Sequence, residues 1–286
     1  MATIRPAGAH TNTSPQSRRG DEWLIAIDLD GTTIDEAGQA SDAVKTALRR
    51  VGQAGHHLLV ATGRSAVTTL TVLDEIEVWP EYVVCSNGGM VLRRDRNDAT
   101  GYRRLRATSF EVPTVLNTIR RELPTALFAV EREDGTYRFT HPFPPATTEP
   151  IEEQTIVGFD ELATGKAVRA VILAPGADVL AFRKTVERLR LPGTTFSLGW
   201  TAWLDIAAAG VTKASAAEEV RVALGFSRAH VIAIGDGYND IELIQWAGEY
   251  GRGVAMGHSP ESLLNVASEI TGTILEDGLA TALSSL

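Results

Sequence analysis

The sequence predicts an α/β fold, a parallel sheet wrapped by helices, with a second domain of α+β texture set into it. Three observations predict this. Residues 21–89 run strand, helix, strand, helix, strand with short connections. The texture changes at about Met90 to a hairpin and Pro-broken alternating runs, and the first texture returns from Val211. A chain of 286 residues is long enough for one domain interrupted by another. The boundaries drawn are a tail at 1–20, a core at 21–89 and 205–286, and an insert at 90–204.

The elements follow in order. Met1 to about Gly20 has no apolar periodicity and is rich in Thr, Ser, Pro, Gly and Arg, so it reads as a disordered tail. Leu24–Ile27 is a short apolar strand ending in Asp28-Leu29-Asp30-Gly31-Thr32. Ser41 can cap a helix to about Ala54, with Val44, Ala47, Leu48 and Val51 on one face and Gly55 as its stop. His57–Ala61 is a second strand, ending in Thr62-Gly63-Arg64; a helix spans about 65–76, and Tyr82–Cys85 is a third strand ahead of Ser86-Asn87-Gly88-Gly89. Residues 90–110 read as a hairpin opening the insert, followed by a helix at 112–123, strands at 136–139 and 167–173, and a helix at 179–189. Then come a helix at 213–224, a strand at 230–234 ending in Gly235-Asp236-Gly237-Tyr238-Asn239-Asp240, a helix, a strand at 253–256 and a last strand at 271–275.

Composition narrows the function. With 27 Lys and Arg against 36 Asp and Glu, the formal charge of −9 argues against a nucleic-acid binder. Cys85 is the only cysteine, which excludes an intrachain disulfide framework and a cysteine-ligated cluster. No apolar run approaches the roughly 20 residues of a membrane span. Arg18-Arg19 is followed by Asp21 and Glu22, not by the apolar stretch of an export signal. The expectation is a cytoplasmic protein without membrane or nucleic-acid partners. Its oligomeric state is not legible.

Four polar signatures fall where a strand ends or a helix begins: Asp28 with Asp30, Thr62, Lys213, and Asp236 with Asp240. Ligands bind beyond the carboxyl ends of parallel strands, so these groups can converge. Taken singly each has an ordinary reading, as a turn, a helix cap or a surface lysine; their joint occurrence in this order points to chemistry. A calcium loop starting at Asp28 fails, because Thr33 and Gln39 stand where Gly and Glu are needed. Walker, His-Glu-x-x-His and Gly-x-Ser-x-Gly patterns are absent from the chain.

The same residues resemble the four motifs of the haloacid dehalogenase superfamily, and the insert is similar in size and texture to the cap of its Cof-type, subclass IIB sugar phosphatases. Ser86-Asn87-Gly88-Gly89, Gly253-Val254-Ala255-Met256-Gly257 and Glu276-Asp277-Gly278-Leu279-Ala280 also match that group. The resemblance implies a Rossmann-like parallel-sheet core with helices on both faces and an inserted α+β cap. It implies a Mg2+-dependent phosphatase acting on a small phosphomonoester, a sugar phosphate foremost. By that resemblance Asp28 is the nucleophile, and Asp30 is the general acid and base. Thr62, Gly63, Lys213 and Asn239 hold the phosphoryl group. Mg2+ is held by Asp28, the Asp30 carbonyl and Asp236, with Asp240 behind them. A phosphomutase of the same superfamily and a non-catalytic sugar-phosphate sensor are the alternatives.

His258 departs from the family's usual Asn, and reads more simply as a solvated loop residue; Leu264 replaces a lysine many relatives carry. In the insert, Arg93, Arg94, Arg96, Arg103, Arg104 and Arg106 form a basic hairpin whose charges guard an edge. Trp200 and Trp203 read as packing residues in preference to faces for a sugar ring.

Overall fold

A computed structural model describes residues 21–144 and 154–286; the tail expected at 1–20 lies outside the described residues. Sixteen strands are described: β1 Leu24–Ile27, β2 His57–Ala61, β3 Tyr82–Cys85, β4 Met90–Arg94, β5 Tyr102–Ala107, β6 Phe110–Glu111, β7 Leu127–Glu131, β8 Tyr137–Phe139, β9 Thr155–Ile156, β10 Lys166–Ala167, β11 Arg169–Leu173, β12 Thr194–Leu198, β13 Trp203–Ala208, β14 Val231–Gly235, β15 Arg252–Ala255 and β16 Glu269–Ile270. The helices are α1 Asp42–Gln53, α2 Ala66–Glu75, α3 Val112–Glu122, α4 Phe159–Leu162, α5 Val179–Arg188, α6 Lys213–Leu224, α7 Ile241–Gly248, α8 Glu261–Leu264 and α9 Gly278–Leu283.

The larger sheet has the order β16-β15-β14-β1-β2-β3-β4-β5. It is parallel from β16 to β3 and antiparallel across β4 and β5. Central β1 shows why both faces carry helices. Ile25 and Ile27 pack with Val44, Leu48 and Val51 of α1, whereas Leu24 and Ala26 pack with Ala216, Ala217 and Val220 of α6. A strand with period-two alternation into two cores reads as a continuous apolar run. The expected α/β core with helices on both faces is what the chain forms. Ser41 caps α1 by accepting from the Val44 N–H at 3.1 Å. Thr212 and Ser215 cap α6 reciprocally. That cap seats Lys213 in the first turn of α6.

The second sheet, β12-β13-β11-β7-β8-β9, is antiparallel except between β8 and β9. Alternation again splits its residues. Ala170 and Ile172 of β11 face the helices α3 and α5, while Val171 and Leu173 join Phe139, Phe143 and Trp203 on the other face. Among the described residues no helix is long and apolar enough to cross a membrane.

Three expectations are corrected. The hairpin expected at 90–110 and assigned to the insert is formed by β4 and β5, and β4 pairs onto β3, which extends the larger sheet. The switch from parallel to antiparallel pairing changes the sequence texture there without leaving the sheet. The run at 167–173 breaks at Val168, whose N–H turns to the Glu131 carbonyl, giving β10 and β11. The last strand is Glu269–Ile270 rather than 271–275; residues 274–276 form a single 3-10 turn, with Leu275 almost wholly exposed.

Candidate active site

Parallel pairing brings three strand ends side by side. Ile27 of β1 stands opposite Ile234 of β14 and Val60 of β2. The residues just beyond those ends are Asp28, Asp236 and Thr62. The Asp28 N–H continues the ladder by donating to the Ile234 carbonyl at 3.0 Å. Gly31 adopts φ +78°, which turns the chain beneath the Asp236 carboxylate. Thr32 Oγ then donates to Asp236 Oδ1 at 2.9 Å, and Thr33 Oγ to the Asp28 carbonyl at 2.6 Å.

Lys213 sits between two carboxylates. Its ammonium donates to Asp28 Oδ1 at 2.8 Å and to Asp240 Oδ1 at 2.7 Å, with the lysine side chain fully buried. Asp240 spends its other oxygen on the N–H groups of Asp236 and Gly237, at 3.2 and 3.0 Å. That leaves Asp240 committed to holding the loop and the lysine. One carboxylate oxygen each from Asp28, Asp236 and Asp240 lies within 4.8 Å of the others. Three buried carboxylates against one ammonium leave an excess of negative charge. Burial, then Asp240, raise the Asp28 carboxyl well above its ordinary range against the opposing pull of Lys213. Burial likewise raises Asp240, again with Lys213 opposing. Burial alone would lower the Lys213 ammonium, but Asp240 and Asp28 more than offset it and hold it above its usual value. This donor set, all hard oxygens with surplus charge, fits a divalent cation such as Mg2+.

Asp30 stands outside that group of three carboxylates. Arg64 holds its carboxylate in a fork, with Nη2 at 2.6 Å from Oδ1 and Nε at 2.8 Å from Oδ2. The Asp30 side chain is thus a poor metal ligand in this arrangement, and only its backbone carbonyl remains for that role. Thr62 is buried, and its hydroxyl accepts from the Arg64 N–H at 3.1 Å. Asn239 Nδ2 donates to Asn87 Oδ1 at 2.9 Å, and a Cβ on Gly63 would sit 3.2–3.3 Å from these two amides. The expected site residues Asp28, Asp236, Asp240 and Lys213 are thus in one cluster, with Asp30, Gly63 and Asn239 around the adjoining cavity.

Five residues near the site carried no site role on the sequence alone. Arg64 and Thr32 belong to the motifs, but their partners are set by the fold. Asn87, in a left-handed conformation, lay in the quoted Ser86-Asn87-Gly88-Gly89 run; its amide nitrogen is buried without a hydrogen-bond partner. His258 lies in an exposed turn, as expected, but that turn stands beside the carboxylate cluster. Its Nε2 lies 3.6 Å from Asp236 Oδ2, and its Nδ1 faces the Ile274 N–H at 3.4 Å. The neighbouring Asp236 carboxylate raises the imidazole above its usual value, against burial. Trp203 was the fifth. With Trp200 it lines a cavity of about 520 Å³ that contains Asp28 and Asp30.

A family model described as haloacid dehalogenase-like hydrolase matches residues 25–283. A 5-amino-6-(5-phospho-D-ribitylamino)uracil phosphatase of Bacillus subtilis is 28% identical over 270 residues, which span 94% of this chain and 98% of the relative. A pyridoxal phosphate phosphatase of Escherichia coli is 27% identical over 271 residues, 90% of this chain and 96% of that protein. Among solved structures, a subclass IIB sugar phosphatase superposes with a TM-score of 0.76 at 18% identity, covering 92% of this chain and 98% of its own. A phosphatase of Bacteroides thetaiotaomicron gives 0.72 at 24% identity, covering 96% and 98%.

Proposed function

The chain belongs to the haloacid dehalogenase-like hydrolase family as a phosphomonoesterase, and from that premise we propose a Mg2+-dependent reaction through an aspartyl-phosphate on Asp28. The observation that carries the reading is the bridge from Lys213 to both Asp28 and Asp240 beneath three clustered carboxylates.

A phosphate monoester is a dianion, and a carboxylate can attack it only where positive charge offsets the repulsion. Lys213 supplies one such charge at Asp28 itself, 2.8 Å away. Asp28, Asp236 and the Asp30 carbonyl would hold the Mg2+, which when bound supplies the remaining electrostatic neutralisation. Asp28 attacks phosphorus, and the bond to the leaving alcohol oxygen breaks. Asp30, oriented by Arg64, gives that oxygen its proton. Asp30 then takes a proton from water, which attacks the phosphorus of the acyl phosphate, freeing phosphate and restoring Asp28. Thr62 uses its hydroxyl hydrogen, and Asn239 and the Gly63 region their N–H groups, to bind the phosphoryl oxygens where charge is spread. Asp240 fixes Lys213 and the loop that carries Asp236.

The six-stranded sheet would act as a cap, covering the strand ends while substrate is bound and excluding bulk water. The substrate in this reading is a small phosphorylated metabolite with a sugar or polyol at the phosphate-bearing end. The relatives support it: one is named for a phosphoribityl compound, and a structural neighbour is a sugar phosphatase.

The test is phosphate release from a panel of phosphorylated metabolites, with Mg2+ or EDTA, by wild type and Asp28→Asn. Metal-dependent turnover that Asp28→Asn abolishes is expected. Full activity in that variant would overturn the nucleophile assignment. Transfer of phosphate to a second sugar would make the enzyme a phosphotransferase instead.

A further inference from the structure

The turn that follows β3 is strained at two successive residues. Ser86 has φ +53° and Asn87 φ +52°, both in the left-handed region and neither a glycine. Such conformations cost stability and persist where the surroundings fix them, most often beside a site. Here the surroundings are the site's own loops. The Ser86 N–H donates to the Arg64 carbonyl at 2.8 Å, and the Asn87 N–H to the Thr62 carbonyl at 3.1 Å. The Ser86 hydroxyl donates to Oε2 of the buried Glu131, on β7, at 2.7 Å. Gly88 passes so close to the start of α6 that an added Cβ would collide with the Thr212 carbonyl oxygen.

This turn sets Asn87 against Gly63 and Asn239. Its Oδ1 accepts from Asn239 Nδ2 at 2.9 Å, and the Asn239 amide is thereby oriented end to end. Its nitrogen stands 3.3 Å from where a Cβ on Gly63 would lie, and its oxygen 2.6 Å from where one on Gly237 would lie. Turned over, the amide would set its oxygen against Asn87 Oδ1 and present an acceptor beside Gly63. Nδ2 carries two hydrogens, and the bond to Asn87 uses one. The other is left for the cavity that Asn239 and Gly63 line together with Asp28. The Asn87 amide nitrogen is buried without a hydrogen-bond partner, which costs stability. Packing alone would be served better by an apolar side chain; the use of Asn87 lies in the oxygen it turns to Asn239.

We propose that Asn87 is a positioning residue for the phosphoryl group: its Oδ1 fixes the Asn239 amide so that Nδ2 meets a phosphoryl oxygen. The inference rests on the phosphatase reading of Asp28 and Asn239, and adds a residue that acts without touching substrate. A donor held in place meets the charge that spreads over those oxygens in the transition state. An amide free to turn presents its own oxygen to the same anion part of the time.

The experiment is a double-mutant cycle of Asn87→Gly and Asn239→Ala, read in two ways. Glycine keeps the left-handed backbone at 87 and removes only the side chain. On an ester the wild type turns over, Asn239→Ala should lower kcat about 10²-fold, the usual worth of one such donor. Asn87→Gly should lower kcat about tenfold with KM within about threefold of wild type. The double variant should fall no more than about twofold below Asn239→Ala. Calorimetric titration of orthovanadate, with Mg2+ present, should show the same pattern in affinity. Single effects that multiply in the double variant, as for a merely structural Asn87, would overturn the inference. So would wild-type kcat and vanadate affinity in Asn87→Gly. Wild-type crystals with Mg2+ and orthovanadate depend on no variant folding: Asn239 Nδ2 should lie within hydrogen-bond reach of a vanadate oxygen, and an amide out of reach overturns the inference as well. The phosphatase reading fails separately. Coupled vanadate binding without turnover of any ester by the wild type would uphold Asn87 and sink the mechanism. Turnover with effects that multiply would do the reverse, and no vanadate binding by the wild type would overturn both.

Discussion

Arg64 grips both oxygens of Asp30, with Nη2 at 2.6 Å from Oδ1 and Nε at 2.8 Å from Oδ2. The guanidinium side chain is nine-tenths buried, and the carboxylate about a third exposed. On the proposed mechanism Asp30 moves the proton and Arg64 sets where it does so. Asp30→Asn should lower kcat by about 10²–10⁴, the usual worth of general acid–base catalysis. Arg64→Lys should recover only part of the loss seen in Arg64→Ala, because an ammonium cannot make the two parallel bonds. Steady-state kinetics on any ester the wild type turns over gives the comparison. Equal activity in Arg64→Ala and wild type would remove the fork from the mechanism.

The buried cluster makes opposite stability predictions for its cation and its anion. Removing Lys213 strands Asp28 and Asp240 without their shared counter-charge. Breaking a buried pair in that way typically costs about 3–5 kcal/mol. Lys213→Met should therefore lose turnover and melt well below wild type. Asp28→Asn should also lose turnover, yet melt at or above wild type without metal. Burial and Asp240 disfavour the Asp28 charge there, and an amide oxygen can still accept from Lys213. Thermal melts of both variants in EDTA check the contrast; a large loss in Asp28→Asn would contradict the electrostatic account.

Most of this cluster was legible in the sequence, for a physical reason. Strands buried on both faces are continuous apolar runs, so β1, β2 and β14 stand out, and the polar residues just past them mark the ligand end of the sheet. What the sequence concealed was pairing. Nothing local says that Arg64 turns to Asp30, or that His258 faces Asp236, because each contact joins separate loops at strand ends. β12 and β13 were missed because Ser197 and Asp205, paired across the two strands, break the apolar alternation. The strand expected at 271–275 failed for the opposite reason. Ile274 and Leu275 look like strand residues, but Thr273 and Glu276 close a turn around them and leave Leu275 in solvent.

Metal binding and pH should be linked with a definite sign. Burial raises the carboxyls of Asp28 and Asp240 above their unfolded values. The metal-free folded state then keeps protons that the unfolded chain has released, so its stability falls as pH rises above the ordinary carboxyl range. A divalent cation must displace those protons, which makes its affinity rise with pH. The melting-temperature gain from adding Mg2+ should therefore be larger at pH 8 than at pH 5.5. Saturation at about 100-fold over Kd corresponds to about 2.7 kcal/mol. Scanning fluorimetry with Mg2+ or EDTA across that range decides it, and a gain that shrinks with pH would go against the assignment.

Two glycines with nearly the same backbone separate strain from site geometry. Gly31 has φ +78° and Gly38 has φ +76°. An alanine at either must adopt a left-handed conformation that costs of order 1–3 kcal/mol. Their surroundings differ. A Cβ at Gly31 would fall 2.3 Å from Asp236 Oδ2, whereas nothing lies within 4 Å of one at Gly38. Both variants should lose stability by similar amounts from the backbone. Only Gly31→Ala must also push aside the Asp236 carboxylate that Thr32 and His258 flank. Displacing a ligand's support in this manner typically weakens metal affinity by about 10–100-fold. The Mg2+ concentration giving half-maximal activity should rise by that factor in Gly31→Ala and stay within about twofold of wild type in Gly38→Ala. If both variants shift alike, backbone strain alone accounts for the glycine at 31, and Asp236 is not held where the metal needs it.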